Sequence, residues 1–432
     1  MTPAHTTQFF AELVCSNSFK SKLPDSPAGL LKSEMKGLGS LVLAAAERHE
    51  VPGGQALAVD RDAFAAEVTR TIEGHPLIEV IREEFTPAMM DERRWTPDAP
   101  VILATGPLTS PALSEWLARL TGRQHLYFYD AVSPTVEASS INREVAFEAS
   151  RYGKGGDDYL NCPFDKEEYE AFVQALVAAE RVPVHAFEAG GKRDAAEQTD
   201  EDRFLEKIKY FAGCTPIEAI AEGGADSLRF GNFKPVGLTD PRTGRRPYAV
   251  LQLRPENKEK SLYSLVACQN RLRWGDQKRV FQMVPGLENA EFVRYGVIHR
   301  NTYIEAPKVL HPTLEMRHFP GLFISGQLTG VEGYVESAAM GIYTGLQVLR
   351  SLQGAAESIP PRATAYGSLI SHLQDDTPRE FAPMNINWGL LPDPEQPMRD
   401  KGLKRQWKLE QAREAFAVWM SELGEPNQNR PA

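Results

Sequence analysis

The side chains best suited to covalent chemistry in this sequence are four cysteines, at positions 15, 162, 214 and 268. Their wide separation matches neither a paired zinc-knuckle spacing nor a dense disulfide framework, so no metal site is expected. Cys214 stands in AGCTPIEAIAEGG, where Thr215 is placed to cap a helix opening at Pro216. A thiol just before a helix N-terminus has its pKa lowered, which favours the nucleophilic thiolate. Cys15 lies in LVCSNSFKS, where Ser16, Asn17 and Ser18 supply short hydrogen-bonding groups. The plain alternative for any of the four is a buried thiol serving as a small hydrophobe. That alternative is preferred for Cys162 in YLNCPFD, and Cys268 carries no chemical argument of its own.

A second constellation is rich in glycine. In GLFISGQLTGVEGYVESAAMGIYTGLQVL an apolar strand ends at Ser325–Gly326, a turn follows, and a helix begins near Glu332. Glycine lets backbone approach a ligand closely, and a helix N-terminus offers unpaired N–H groups and a positive dipole end. Gly326, Gln327, Thr329, Gly330, Glu332, Gly333 and Tyr334 are candidate ligand contacts; the plainer reading is an ordinary strand–turn–helix unit. Among nine histidines, His299 stands out in RYGVIHRNTY beside Arg300 and Asn301, although a satisfied histidine near a strand end is the bland reading. Basic residues gather at Arg242, Arg245, Arg246 and Arg254, and again at Arg271, Arg273, Lys278 and Arg279 around Trp274. Cations of this kind contact phosphates and aromatics stack on exposed bases, but most charge runs are solvated faces. A third group, Lys401–Lys408, reads equally well as a helix surface.

These residues need elements to position them. Apolar spacing predicts an amphipathic helix from Leu30 to Glu47, and a strand at Ala56–Val59 entering a helix over Arg61–Glu73 that Asp60 caps. LIEVIREEF reads as a strand, and PVILATG, ending at Gly106, as a buried parallel strand. DKEEYEAFVQALVAAE is a strong helix, AGGKRDAAEQTDED an inserted surface loop, and YAVLQLRP a hairpin strand beside the basic turn PRTGRRP. Helices follow the glycine turn and recur near 362–373 and 404–421. The 432 residues exceed one ordinary core, which favours two domains. Apolar residues at 42% and charged residues at 25% describe a globular protein without a membrane span or secretory signal, expected in the cytoplasm. A net charge of −10 means that any nucleic-acid role needs a local basic face.

The words themselves resemble a known family. SGQLTGVEGYVESAAMG is similar to the closing flavin-binding signature of the folate- and FAD-dependent tRNA uracil-5-methyltransferases, the TrmFO family. TPAHTTQFFAELVCSNS, GLLKSEMKGLGSLVLAAA, ASRYGKGGDDYLNCP, GCTPIEAIAEGG and RWGDQKRVFQMVPGLENAEFVRYGVIHRNTYI match in the same order over nearly the whole chain. The related GidA/MnmG family shares the flavin fold, but its members are not expected to carry CSNS and GCTPIE in this arrangement. The resemblance implies an α/β protein, with a Rossmann-like FAD-binding domain made of residues 1–130 and 291–432. A mixed α+β insertion, 131–290, would carry the nucleophile and the tRNA contacts. It implies C5 methylation of a T-loop uridine in tRNA, with 5,10-methylenetetrahydrofolate as one-carbon donor, FAD as hydride source and NAD(P)H as reductant. Cys214 would be the nucleophile and Cys15 the base beside the flavin, with Ser16, Asn17 and the glycine turn forming the cofactor site. His299, Arg300 and Asn301 would line the folate or uracil pocket, and Arg245, Arg246, Arg271, Arg273, Lys278 and Arg279 would meet tRNA.

One part of the family pattern is missing. The opening βαβ unit with a G-x-G-x-x-G loop, which cradles a dinucleotide pyrophosphate, has no counterpart after Met1. The expectation is that the N-terminal unit is truncated and that the cellular chain extends upstream. Another flavin-dependent uridine modification, a general flavin oxidoreductase, or a non-catalytic RNA-binding remnant stay open as alternatives.

Overall fold

The segment YAVLQLRP forms a strand, Ala249–Pro255, that is hydrogen-bonded on both sides. In the computed structural model, which describes residues 5–89, 96–122, 126–153, 158–182, 215–296, 298–377 and 381–424, it lies inside a six-stranded sheet. The strand order is Phe292–Arg294, Thr135–Glu137, Leu262–Leu265, Ala249–Pro255, Leu160–Phe164, Phe147–Glu148, with antiparallel neighbours throughout. Leu160 faces Leu253, Cys162 faces Leu251 and Phe164 faces Ala249, so alternate residues of both strands enter one core. The helix Lys166–Ala178 covers that core with Tyr169, Phe172, Val173 and Leu176. It begins in a capping box, in which Asp165 accepts from Glu168 N and Glu168 accepts from Asp165 N.

The chain divides into two compact units, and this sheet belongs to the first, made of Met1–Ser18, Ala46–His75 and Phe128–Asn301. Sequence placed 1–18 and 46–75 in the other domain. Long-range polar contacts draw them here: Asn17 Nδ2 donates to Val59 O and Pro255 O, Arg61 pairs with Glu256, and Tyr159 Oη donates to Gly53 O. The strand Ala56–Val59 and the helix Arg61–Glu73 fall where the sequence puts them, with Asp60 Oδ1 accepting from Ala63 N.

The second unit comprises Phe19–Ala45, Pro76–Tyr127 and Thr302–Ala432. Its three-stranded sheet pairs Val101–Leu103 in parallel with Phe319–Ile324, which also pairs with Glu315–Met316. The helix Tyr334–Leu352 packs on Pro27–Gly37, which in turn meets Ala365–Leu373. Two expectations are corrected here. The single helix expected over 30–47 is two, Pro27–Gly37 and Leu41–Arg48, broken where Gly39 takes φ +73° and Ser40 Oγ receives Leu43 N. LIEVIREEF forms no strand, and its Leu77 is 89% exposed. Alternation suggested a strand there, but only a hydrogen-bonded neighbour makes one. The loop expected at 189–202 lies outside the described residues.

Candidate active site

The glycine turn is built from the second unit outward. Strand Phe319–Ile324 ends at Ser325, a single helical turn Gly326–Thr329 follows, and the helix opens at Tyr334 with Gly333 as its N-cap. Gly326, Gly330 and Gly333 all have positive φ, at 68°, 98° and 111°. A Cβ on Gly330 would strike the Phe381 ring, and one on Gly333 would lie 2.5 Å from Lys20 Nζ and 2.7 Å from Glu336 Oε2. These two glycines serve packing. A Cβ on Gly326 would meet nothing nearer than 3.9 Å, so the open side of the turn lies there.

Lys20 and Glu336, two residues that sequence reasoning passed over, brace this turn. Lys20 Nζ donates to Glu332 O at 3.0 Å and to both Glu336 carboxylate oxygens at 2.7 Å. Glu336, fully buried, also accepts from Ile386 N at 3.0 Å. On the other side Glu332 N donates to Met384 O and Met384 N to Gly330 O. Gln327 Nε2 donates to Glu332 Oε2 at 2.7 Å, and Thr329 Oγ1 closes on Gly326 O. Glu332 and Thr329 are buried, so within this unit they shape the turn. The Tyr334 ring lies 5.9 Å from that of Phe19.

Cys15, half-buried and free of any disulfide, belongs to the first unit. The segment carrying it is tied down at both ends. Arg61 Nη1 donates to Leu13 O at 2.6 Å while its other nitrogens grip Glu256, and Asn17 Nδ2 bridges Val59 O and Pro255 O. Burial pulls the Glu256 pKa up, but Arg61 and Arg254 outweigh it and leave the carboxyl below its usual range. Burial also lowers the pKa of Arg254, which sits within electrostatic reach of Glu256, Tyr159, Arg61 and Cys15. Arg254 therefore belongs to this interior rather than to the surface basic cluster expected from sequence. Asn17 is likewise wholly buried, and its amide nitrogen is committed to backbone.

Cys214 lies outside the described residues. The helix after it runs Ile217–Glu222, with Pro216 rather than Thr215 at the N-cap position. Ile217 N donates to Gln269 O. His299 and Arg300 stand on the strand Ile298–Tyr303, and Asn301 is buried. Cys162 and Cys268 are fully buried and burial pushes both thiols' pKa up, the state of inert core cysteines. Arg245, Arg246, Arg273, Lys278 and Arg279 are exposed, with Arg273 paired to Glu180 and Arg279 to Asp276. Arg271 is 3.9 Å from Glu218. In the third cluster, Lys408 is buried against Trp388 O and Leu391 O and so is no solvated surface residue. No group of acidic, histidine and cysteine side chains fit to hold a metal occurs among the described residues.

With this geometry in place, comparison with known proteins decides the family. The model of the family described as glucose inhibited division protein A matches residues 1–356. The methylenetetrahydrofolate–tRNA-(uracil-5-)-methyltransferase TrmFO of Desulforudis audaxviator is 51% identical over 425 residues, spanning 98% of this chain and 91% of its own. The chain belongs to the TrmFO family. A second TrmFO, from Geobacter sulfurreducens, is 49% identical over 96% of this chain and 89% of its own. Two crystal forms of Aquifex aeolicus GidA superpose with a TM-score of 0.62 over 96% of this chain, at 15% and 16% identity, covering 68% and 70% of theirs. That likeness shows the fold, α/β of the FAD-binding type, which is the fold expected from sequence.

The glycine turn leaves space for a bound group beside Gly326. The helix Tyr334–Leu352 has Gly333 as its N-cap, with no capping side chain at that position. Beside Gly326, Ser337 Cβ lies 4.0 Å from the missing Cβ, and Ser337 Oγ is buried with no hydrogen-bond partner among the described residues. A buried hydroxyl left unpartnered is costly, and a bound polar ring edge would satisfy it.

Proposed function

We propose that this protein methylates C5 of a T-loop uridine in tRNA, with methylenetetrahydrofolate as the one-carbon substrate. The observation that carries the reading is identity of about half over nearly the full length of proteins bearing that activity in their names. The turn Gly326–Gly333, with Tyr334 and Ser337 on the helix that follows, is assigned to FAD; Ser16 and Asn17 of the CSNS segment are assigned to the same cofactor by family resemblance alone.

The chemistry asks three things of the chain. Uracil C5 is a poor nucleophile, so the Cys214 thiolate adds to C6 and makes the ring an enolate that attacks the folate methylene. Cys15 then takes the C5 proton as tetrahydrofolate leaves. Reduced flavin, held at the glycine turn, would supply the hydride that completes the methyl group, with NAD(P)H as the external reductant. Expulsion of the Cys214 thiolate from C6 restores the aromatic ring. His299, Arg300 and Asn301 line the folate or uracil pocket, where the Arg300 fork suits the folate carboxylates. Arg245, Arg246, Arg271, Arg273, Lys278 and Arg279 take the tRNA backbone, and the enzyme works in the cytoplasm.

RNA containing 5-fluorouridine tests the assignment, because fluorine cannot leave as a proton and the covalent adduct persists. Wild type is expected to form an adduct that survives denaturation, and Cys214→Ala none. Equal trapping by Cys214→Ala would remove Cys214 from the nucleophile's role.

A further inference from the structure

Three aromatic rings in the first unit form a column that runs from core to solvent. Phe292 packs against the hydrophobic core of the six-stranded sheet. Tyr295 lies on it with centroids 5.4 Å apart and planes 10° apart, and Trp274 lies on Tyr295 at 5.6 Å and 12°. Trp274 is 64% exposed although its indole is stacked on one side. Among the described residues most aromatic pairs are tilted or edge-on, as between Phe164 and Tyr169 or Phe172, and a run of two successive near-parallel contacts stands apart from them.

The column is also stiff. Trp274 is the first residue of the helix Trp274–Phe281, whose Gln277, Val280 and Phe281 are buried. Buried Gln277 bonds the backbone of Gly296 in both directions, Nε2 to Gly296 O at 2.8 Å and Oε1 from Gly296 N at 2.7 Å. The residue after Tyr295 is thus fixed to the same helix that carries Trp274. An indole held flat in water by such a support exposes apolar surface with no return inside the chain, and the area it offers is the size of a nucleobase. Exposed cations neighbour it along the chain. Arg273 precedes Trp274, and Lys278 and Arg279 stand on the same helix. Arg273 meets Glu180 in a solvent-exposed pair, weak and exchangeable for phosphate, while Arg279 pairs with the half-buried Asp276.

We infer that Trp274 is a stacking platform for one unstacked nucleobase of the RNA substrate, with Arg273 and Lys278 on the adjoining phosphates. This rests on the tRNA reading above and deepens it from a basic patch to one aromatic contact. Aromatic side chains accept any base by its π-face, so the contact supplies affinity and register without base identity.

The test is tRNA binding by the full-length protein across a salt series, with wild type, Trp274→Ala, Trp274→Phe and Lys278→Ala. Because Trp274 is exposed, each variant should fold, and far-ultraviolet circular dichroism checks this. Trp274→Ala should weaken binding about tenfold or more at every salt concentration, leaving the slope of log K against log salt unchanged. Trp274→Phe should recover most of the loss, and Lys278→Ala should reduce the slope by about one phosphate. Wild-type binding with Trp274→Ala unaffected, or with Trp274→Phe no better than Trp274→Ala, overturns the platform alone. Wild type that binds no tRNA overturns the underlying reading, and the platform with it.

Discussion

Lys20 Nζ sits 2.7 Å from both carboxylate oxygens of Glu336, and the same ammonium holds Glu332 O at 3.0 Å. One cation thereby fixes the last carbonyl before Gly333 and the first turn of the helix beyond it. Lys20 adopts φ +61°, a left-handed conformation unfavourable to a residue with a side chain, so its neighbours must over-determine it. Replacing Lys20 by Met would strand the buried Glu336 charge, at about 2–4 kcal/mol. Lys20→Met should therefore melt earlier and carry less flavin per protein, read from visible absorbance. Adding Glu336→Gln should restore part of both. Wild-type melting and flavin content in Lys20→Met would mean the turn stands without the pair.

Gly333 allows a sharper test of the same turn. At φ +111° any L-residue is strained, and a new Cβ would press on a lysine nitrogen already held by three hydrogen bonds. Gly333→Ala should cost about 1–3 kcal/mol and reduce flavin retention. Gly244→Ala is the control: it too has positive φ, at 67°, but has open space around it and lies in an exposed surface turn. Comparable flavin loss in both variants would deny the glycine turn its special place.

What sequence made legible here was local. The Asp60 cap, the helix of DKEEYEAFVQALVAAE and the strand–turn–helix around Gly326 each depend on residues a few positions apart, and each appears in the structure. The bracing pairs do not. Lys20 and Glu336 are 316 positions apart and Arg61 and Glu256 are 195 apart, so neither carries a periodic or motif signal. Arg254 misled for the same reason: among other arginines it reads as surface charge, and only the fold turns it inward beside Glu256.

Glu34 predicts a pH dependence. It is 2% exposed and accepts Ala365 N at 2.8 Å and Tyr366 N at 3.0 Å, at the start of the helix Ala365–Leu373. Burial pushes its pKa up to about 8 against an ordinary 4.5, although the two backbone bonds oppose the shift. Between those values the folded protein holds more protons than the unfolded chain, so this carboxyl's contribution to stability declines as pH rises. Glu34→Gln loses one acceptor, at about 1 kcal/mol, but cannot ionise. Its deficit in melting temperature relative to wild type should be largest near about pH 5 and shrink or reverse toward about pH 8. A deficit constant across that range would place the Glu34 pKa at its ordinary value.

Arg61 links the Cys15 segment to its scaffold. Its Nη1 holds Leu13 O, two residues before Cys15, while its remaining nitrogens grip the buried Glu256 carboxylate. Arg61→Ala should cost about 3 kcal/mol by leaving the buried Glu256 carboxylate to Arg254 alone, and Glu256→Gln in the same chain should return part of that stability. The two changes should differ for catalysis. The double variant still lacks the tie to Leu13, so Cys15 stays loosely placed, and misplacing a catalytic group by about 1 Å is worth on the order of a hundredfold in rate. Methyl transfer should therefore fall by tenfold or more in both variants, on the order of that loss, with tRNA affinity unchanged. If the double variant recovers turnover together with stability, Arg61 acts only by neutralising Glu256, and the hydrogen bond to Leu13 does not place Cys15.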